Sequence, residues 1–282
     1  MHTNSLSKRL QLAHVNLHYL DYGGPGPQTL VCVHGGGANA HWFDFVGPSL
    51  AHVCRVLAVD LRGHGESSWA EPPVYSFEAH MQDLRALVHA EHISMPLLMG
   101  HSMGGILLTQ YAGTWPADVG ALLVCDSRPV YSAEAADVLQ QMGRRTSREY
   151  ATLEEYMARF RIRPEGLRAA PEVQRYIARS AARQLPSGTW MHKIDRRVYA
   201  QRGPLDTLPF WQRIRCPALV LRAEYSSRLT PALLQQIKAA CPHVEGAEVA
   251  QAGHHVMLDQ PEQTVALVRA FLQRHRFLQD AT

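Results

Sequence analysis

Short, nearly unbroken apolar runs alternate along the chain with segments whose apolar positions recur at helical spacing. TLVCVH (29–34), CRVLAVD (54–60), PLLMG (96–100), ALLVCD (121–126) and PALVLRA (217–223) read as buried strands. A strand covered by helices on both faces has no solvated side, so its apolar pattern runs on without alternation. Amphipathic stretches at 76–91, 103–114, 230–240 and 261–275 separate or follow these runs. The alternation predicts the α/β class, a doubly wound and mostly parallel sheet. Ahead of it, RLQLAHV and NLHYLDY around Asn16 predict an antiparallel meander, and GGPGP turns the chain into the first parallel strand.

From about Ser127 to Pro209 the rhythm breaks. The segment has no strand-like run, only helical pieces punctuated by Pro164, Pro171, Pro186 and Pro204. It predicts a helical cap (127–209) inserted into a core made of 1–126 and 210–282. An insertion between two strands of such a sheet belongs over the carboxyl edge, where α/β sites lie. The insertion is rich in arginine (Arg144, Arg145, Arg148, Arg159, Arg161, Arg163, Arg168) and carries Tyr156, Phe160, Tyr176, Trp190 and Tyr199. The arginines read as a solvated helical surface, with attraction of an anionic substrate as the sharper alternative.

Composition narrows the classes. With 282 residues, 46% apolar and 19% charged, the chain can bury a large core as one domain with an insertion. A formal charge of +3 without a basic run argues against a nucleic-acid partner. There is no apolar run of the roughly 18 residues a membrane span needs, and MHTNSLSKRLQLAHV does not resemble an export signal. A cytoplasmic protein with no membrane partner is therefore expected. The five cysteines (Cys32, Cys54, Cys125, Cys216, Cys241) are odd in number and lack metal-ligand spacing, so they read as buried thiols. No P-loop, dinucleotide fingerprint or metal cluster is present, and no cofactor or metal is expected. The expected partner is a small-molecule substrate; oligomeric state is open.

The strongest chemical signal is Gly100-His101-Ser102-Met103-Gly104, a G-x-S-x-G pattern between an apolar strand and the helical ILLTQYAGTW. Such a serine sits at the apex of a strained strand-to-helix turn, and small residues two before and two after let strand and helix approach. Its hydroxyl then lies at a helix amino end, which favours developing negative charge.

With that elbow, the order of His34-Gly35-Gly36-Gly37, Asp60-Leu61-Arg62-Gly63-His64-Gly65-Glu66-Ser67, the insertion and Ala252-Gly253-His254 resembles the α/β-hydrolase superfamily over nearly the whole chain. The resemblance implies Ser102 as nucleophile and His254 as base, with neighbouring His255 as competitor. It implies an oxyanion hole from the N–H of Met103 and of Gly36, with Gly37 next in line. Asp60, Arg62 and His64 are expected to tie loops together, and Asp83 and Glu78 to be solvated or hydrogen-bonded helix positions.

The acid departs from the common pattern. The loop after PALVLRA reads Glu224-Tyr225-Ser226-Ser227-Arg228-Leu229, with serine where many relatives carry aspartate. Asp126, ending the preceding strand, is the expected acid because some relatives place it there; Glu224 and a true Ser–His dyad remain as alternatives. The resemblance implies a serine hydrolase acting on a small or medium carboxylic ester through an acyl-enzyme. A C–C bond hydrolase of ring-fission diketones and a cofactor-independent oxygenase stand beside it. From another class stands a hydrolase-fold ligand receptor with little turnover.

Overall fold

A computed structural model describes residues 5–278. The outermost residues of the expected core, 1–4 and 279–282, lie outside the described residues. The main sheet has eight strands: β1 (Leu6–Gln11), β2 (Asn16–Gly23), β3 (Thr29–Val33), β4 (Arg55–Asp60), β5 (Leu97–His101), β6 (Ala121–Cys125), β7 (Ala218–Ala223) and β8 (Glu245–Val249). Their order is β1-β2-β4-β3-β5-β6-β7-β8. The β1–β2 hairpin is antiparallel and joins β4 antiparallel; every later pairing is parallel. The fold is thus an α/β-hydrolase fold, in which the parallel part begins at β3, second from its β4 edge, steps to β4 and then runs from β5 to β8 in order on the other side of β3.

The main helices are α1 (Phe77–Ala90), α2 (Met103–Thr114), α3 (Ala133–Gly143), α4 (Leu153–Arg159), α5 (Pro171–Ser180), α6 (Pro231–Ala240) and α7 (Pro261–Arg274). Their starts follow sequence chemistry. Ser76 and Thr230 accept from the N–H groups of Ala79 and Leu233, and Pro261 occupies the first turn of α7.

Strand residues alternate between two cores. Leu30, Cys32, Ala58, Met99, Leu123 and Leu221 pack on one face with Trp42, Phe43, Val268 and Phe271. Val31, Val33, Val59, Leu98, Val124 and Val220 pack on the other with Leu84, Leu107, Trp211 and Ile237. Both faces are dry, which explains the unbroken apolar runs. All five cysteines are buried and none is in a disulfide.

The segment between β6 and β7 is not only helical, which corrects the expectation. Val130–Tyr131 pairs with Leu205–Asp206, and Ala182–Gln184 pairs with Trp190–His192 around a turn closed by Leu185 N–H to Thr189 O. Ribbons this short carry no period-2 signal of their own. The segment is tied to the loops at the carboxyl edge. Gly65 N–H donates to Lys193 O and Asp195 N–H to Gly63 O, both at 2.8–2.9 Å. His192 Nε2 lies 3.0 Å from Gly37 O, and Asp259 accepts the N–H groups of Arg168 and Ala169.

Candidate active site

The end of β5 turns directly into α2 at Ser102, whose backbone is left-handed (φ +52, ψ −115). The two glycines explain how the turn is made. A Cβ on Gly104 would stand 2.2 Å from Val33 O, and one on Gly100 would stand 2.5 Å from the Gly104 backbone. Helix and strands can approach only because neither side chain exists. The apex is fixed by Ser102 N–H to Cys125 O (3.0 Å) and by Ser127 Oγ donating to Ser102 O (2.7 Å).

His254 Nε2 lies 3.0 Å from Ser102 Oγ, and His254 Nδ1 lies 2.6 Å from Asp126 Oδ2. A carboxylate only accepts, so the proton sits on Nδ1 and leaves Nε2 free to accept from the serine. Asp126 is fully buried at the end of β6 and also has positive φ, +45. Besides His254, its carboxylate accepts from Ala223 N–H (3.0 Å) and from the Ser226 hydroxyl. The serine standing where aspartate was expected thus supports the carboxylate that replaces it.

The alternatives are used elsewhere. The Glu224 carboxylate accepts from Gln251 N–H (2.7 Å), bracing the loop ahead of His254 without reaching its ring. His255 turns away, with Nε2 3.3 Å from Pro164 O and its ring edge-on to Trp42.

Beside Ser102 lies the glycine loop after β3. His34 fixes it, donating from Nδ1 to Gly35 O (2.7 Å) while Nε2 accepts from Leu61 N–H (3.1 Å). Burial pushes His34 below its ordinary pKa and keeps it neutral for both contacts. A Cβ on Gly35 would stand 3.2 Å from Ser102 Cβ, and one on Gly36 3.6 Å from Met103 Sδ. Among the described residues, no other backbone group engages the N–H of Gly36 or of Met103. Met103 N–H is one of the unpaired donors of a helix start.

The Asp60–Ser67 turn is bracing. Asp60 accepts from His18, Ala40 N–H (2.6 Å) and Glu66 N–H (2.8 Å). Burial works to raise the Asp60 pKa, but the His18 contact and these donors outweigh it and hold it at about 2. Arg62 grips buried Asp83 with two 2.6 Å bonds. Glu78 is used locally, accepting from Gln82. His101, His254 and His255 offer nitrogens within 4.8 Å of one another, but an ion there would have to take His254 from Asp126 or Ser102. No helix among the described residues is long and apolar enough to cross a membrane.

One residue was missed. The arginines singled out in the insertion are all exposed, whereas Arg202 is buried with Nη2 2.8 Å from Met103 Sδ. Nothing in the Ala200-Gln201-Arg202-Gly203 sequence distinguishes it.

A serine elbow, a glycine loop and a histidine loop meeting at the carboxyl edge of this sheet define a hydrolase of the α/β class. The family model described as the alpha/beta hydrolase family matches residues 30–267, and the chain belongs to that family. It is an enzyme of the hydrolase class.

The chain is 28% identical over 262 residues to esterase Rv0045c of Mycobacterium tuberculosis, covering 90% of this chain and 85% of that protein. It is 26% identical over 274 residues to 2-(acetamidomethylene)succinate hydrolase of Mesorhizobium japonicum, covering 95% of each. The solved structure of E-2-(acetamidomethylene)succinate hydrolase superposes with a TM-score of 0.84 at 24% identity, over 96% of this chain and 100% of that one; it shares the fold.

Proposed function

We propose that the chain hydrolyses a small or medium carboxylic ester, with Ser102 as nucleophile, His254 as base and Asp126 as orienting acid. The observation that carries this reading is the unbroken chain of hydrogen bonds from Ser102 Oγ through the His254 ring to the buried Asp126 carboxylate. Ser102 Oγ attacks the ester carbonyl while its proton passes to His254 Nε2. The imidazolium is stabilised by Asp126, and the carbonyl oxygen turns its charge toward the N–H groups of Gly36 and Met103. Collapse expels the alkoxide, which leaves as the alcohol with the proton from His254. Water, deprotonated by His254, then cleaves the acyl-enzyme to acid and free Ser102. The segment 127–209 acts as a cap over this site. The similarity to an esterase over most of both chains supports the ester reading.

The test is labelling with a fluorophosphonate probe followed by mass spectrometry. Stoichiometric modification of Ser102 is expected, strongly slowed in Asp126→Asn and little changed in Glu224→Gln. An unlabelled wild type overturns the mechanism. A ligand-dependent role that survives Ser102→Ala would favour the receptor reading instead.

A further inference from the structure

Among the described residues, each buried aspartate or arginine has an ionisable partner within ion-pair distance, with one exception. Asp21 meets Lys8 and Arg55, Asp44 meets His41, and Asp60 meets His18. Arg62 meets Asp83, Asp126 meets His254, and Asp195 meets Arg197. Arg202 is only 5% exposed and has no carboxylate within ion-pair distance among the described residues. Its Nη1 has no partner, its Nη2 reaches only the Met103 sulfur, and its guanidinium lies 4.4 Å over the Phe77 ring.

A buried cation without a counter-charge is costly. Burial lowers the Arg202 pKa to about 10, so it stays charged at neutral pH. Its neighbours supply no negative charge. Tyr199 is pushed up to about 12 by burial and keeps its proton. His64 and His80 are driven well down by burial and stay neutral.

The position of this charge is what gives it meaning. Met103 follows the proposed nucleophile, and its sulfur lies 3.6 Å from where a Gly36 Cβ would be. The Tyr199 ring stands equally close to Gly36, and its hydroxyl lies over Gly37. One flexible thioether, a weak acceptor, therefore separates the guanidinium from the glycine loop beside Ser102.

We propose that Arg202 binds a carboxylate of the substrate, which replaces the Met103 sulfur as its acceptor, so that the ester cleaved at Ser102 carries a carboxylate a few bonds from the scissile carbonyl. This rests on the serine-hydrolase reading and narrows it to anionic esters such as monoesters of short dicarboxylic acids. The Met103 side chain swings aside, and a guanidinium–carboxylate pair forms at the buried Arg202, where planar two-point recognition is strongest. The Tyr199 hydroxyl, over Gly37, adds a second donor beside the same glycine loop.

The test compares monomethyl glutarate with methyl valerate on wild type, Arg202→Gln and Arg202→Lys. Wild type is expected to favour the glutarate ester in kcat/KM by about tenfold or more, the least a charge-assisted contact in a dry site gives. Arg202→Gln should collapse that ratio, chiefly through KM, and Arg202→Lys should keep part of it. Equal kcat/KM for the two esters in wild type overturns the proposal, as does an equal loss on both in Arg202→Gln.

If Arg202→Gln does not fold, competition against wild-type fluorophosphonate labelling still decides. Free glutarate should protect Ser102 and the neutral diamide of glutaric acid should not; no protection by glutarate overturns the assignment. Labelled Ser102 without carboxylate preference removes this proposal alone. An unlabelled Ser102 removes the parent mechanism, while glutarate binding by calorimetry, lost in Arg202→Gln, would still uphold the site.

Discussion

Asp126, the proposed orienting acid, shows how one residue's surroundings prepare it for a role. It follows β6, one strand nearer the nucleophile than Glu224 after β7, and it is held by Ala223 N–H, the Ser226 hydroxyl and His254. Replacing Asp126 by Asn removes the charge that holds the Nδ1 tautomer, and kcat for the proposed ester hydrolysis should fall by about 10⁴-fold. Glu224→Gln should fall by less than about threefold, because that carboxylate braces a loop through a single N–H bond. The sharper experiment restores the acid from the other strand. Ser226 already touches Asp126 Oδ2, so an aspartate there brings a carboxylate into reach of the His254 ring. The double change Asp126→Asn, Ser226→Asp should recover about tenfold or more of the lost kcat; no recovery would show that the acid must enter from β6.

At the scale of elements, the elbow is a packing problem before it is a catalytic one. Helix α2 is buried along nearly its whole length and crosses β3 and β5 where Gly100 and Gly104 leave no side chain. Gly104→Ala would drive a methyl group into the carbonyl oxygens of Val33 and His34. Backbone cannot yield as a flexible side chain does, so a loss of about 1–3 kcal/mol is expected, measured by urea unfolding. The displaced Ser102 should also label more slowly. An alanine variant as stable and reactive as wild type would show that the close approach is not required.

The whole molecule carries an acid-sensitive set of buried histidines. Burial lowers His192 to about 4 and His255 to about 3, and pushes His34, His64, His80 and His101 down as well. Each takes up a proton near its ordinary value of 6.5 only when the chain unfolds. Between that value and the folded one, the unfolded state binds more protons, so stability rises with pH. The contribution is full above about 6.5 and drains away as pH falls, at about 1.4 kcal/mol per pH unit for each such histidine. His41, raised by Asp44 against the opposing effect of burial, works in the other direction. Asp60, held at about 2, withdraws its share only at more acid pH. Urea midpoints should therefore drop steeply between pH 6.5 and 4. His80, with both ring nitrogens unpartnered, is the residue to vary. His80→Phe should flatten the drop, and an unchanged slope would remove His80 from the set.

Much of this was legible in the chain. The apolar runs at 29–34, 54–60, 96–100, 121–126 and 217–223 became strands within a residue or so at each end, as did the helices at 76–91, 103–114, 230–240 and 261–275. The elbow was legible for the same reason: hydrophobic pattern, glycine placement and turn chemistry are local, and the backbone must satisfy them locally. The paired ribbons of the insertion were not, because two- and three-residue strands exist only through partners distant in sequence. The sequence alone determined the sheet, the strained serine turn and the pool of candidate acids. Only the tertiary structure decided that Asp126 rather than Glu224 meets His254, that Ser226 supports it, and that Arg202, unlike buried Arg62, has no carboxylate beside it among the described residues. The physical reason is range: a carboxylate's partner and a cation's isolation are set by residues up to 128 positions away, brought together where strand ends and an inserted segment converge.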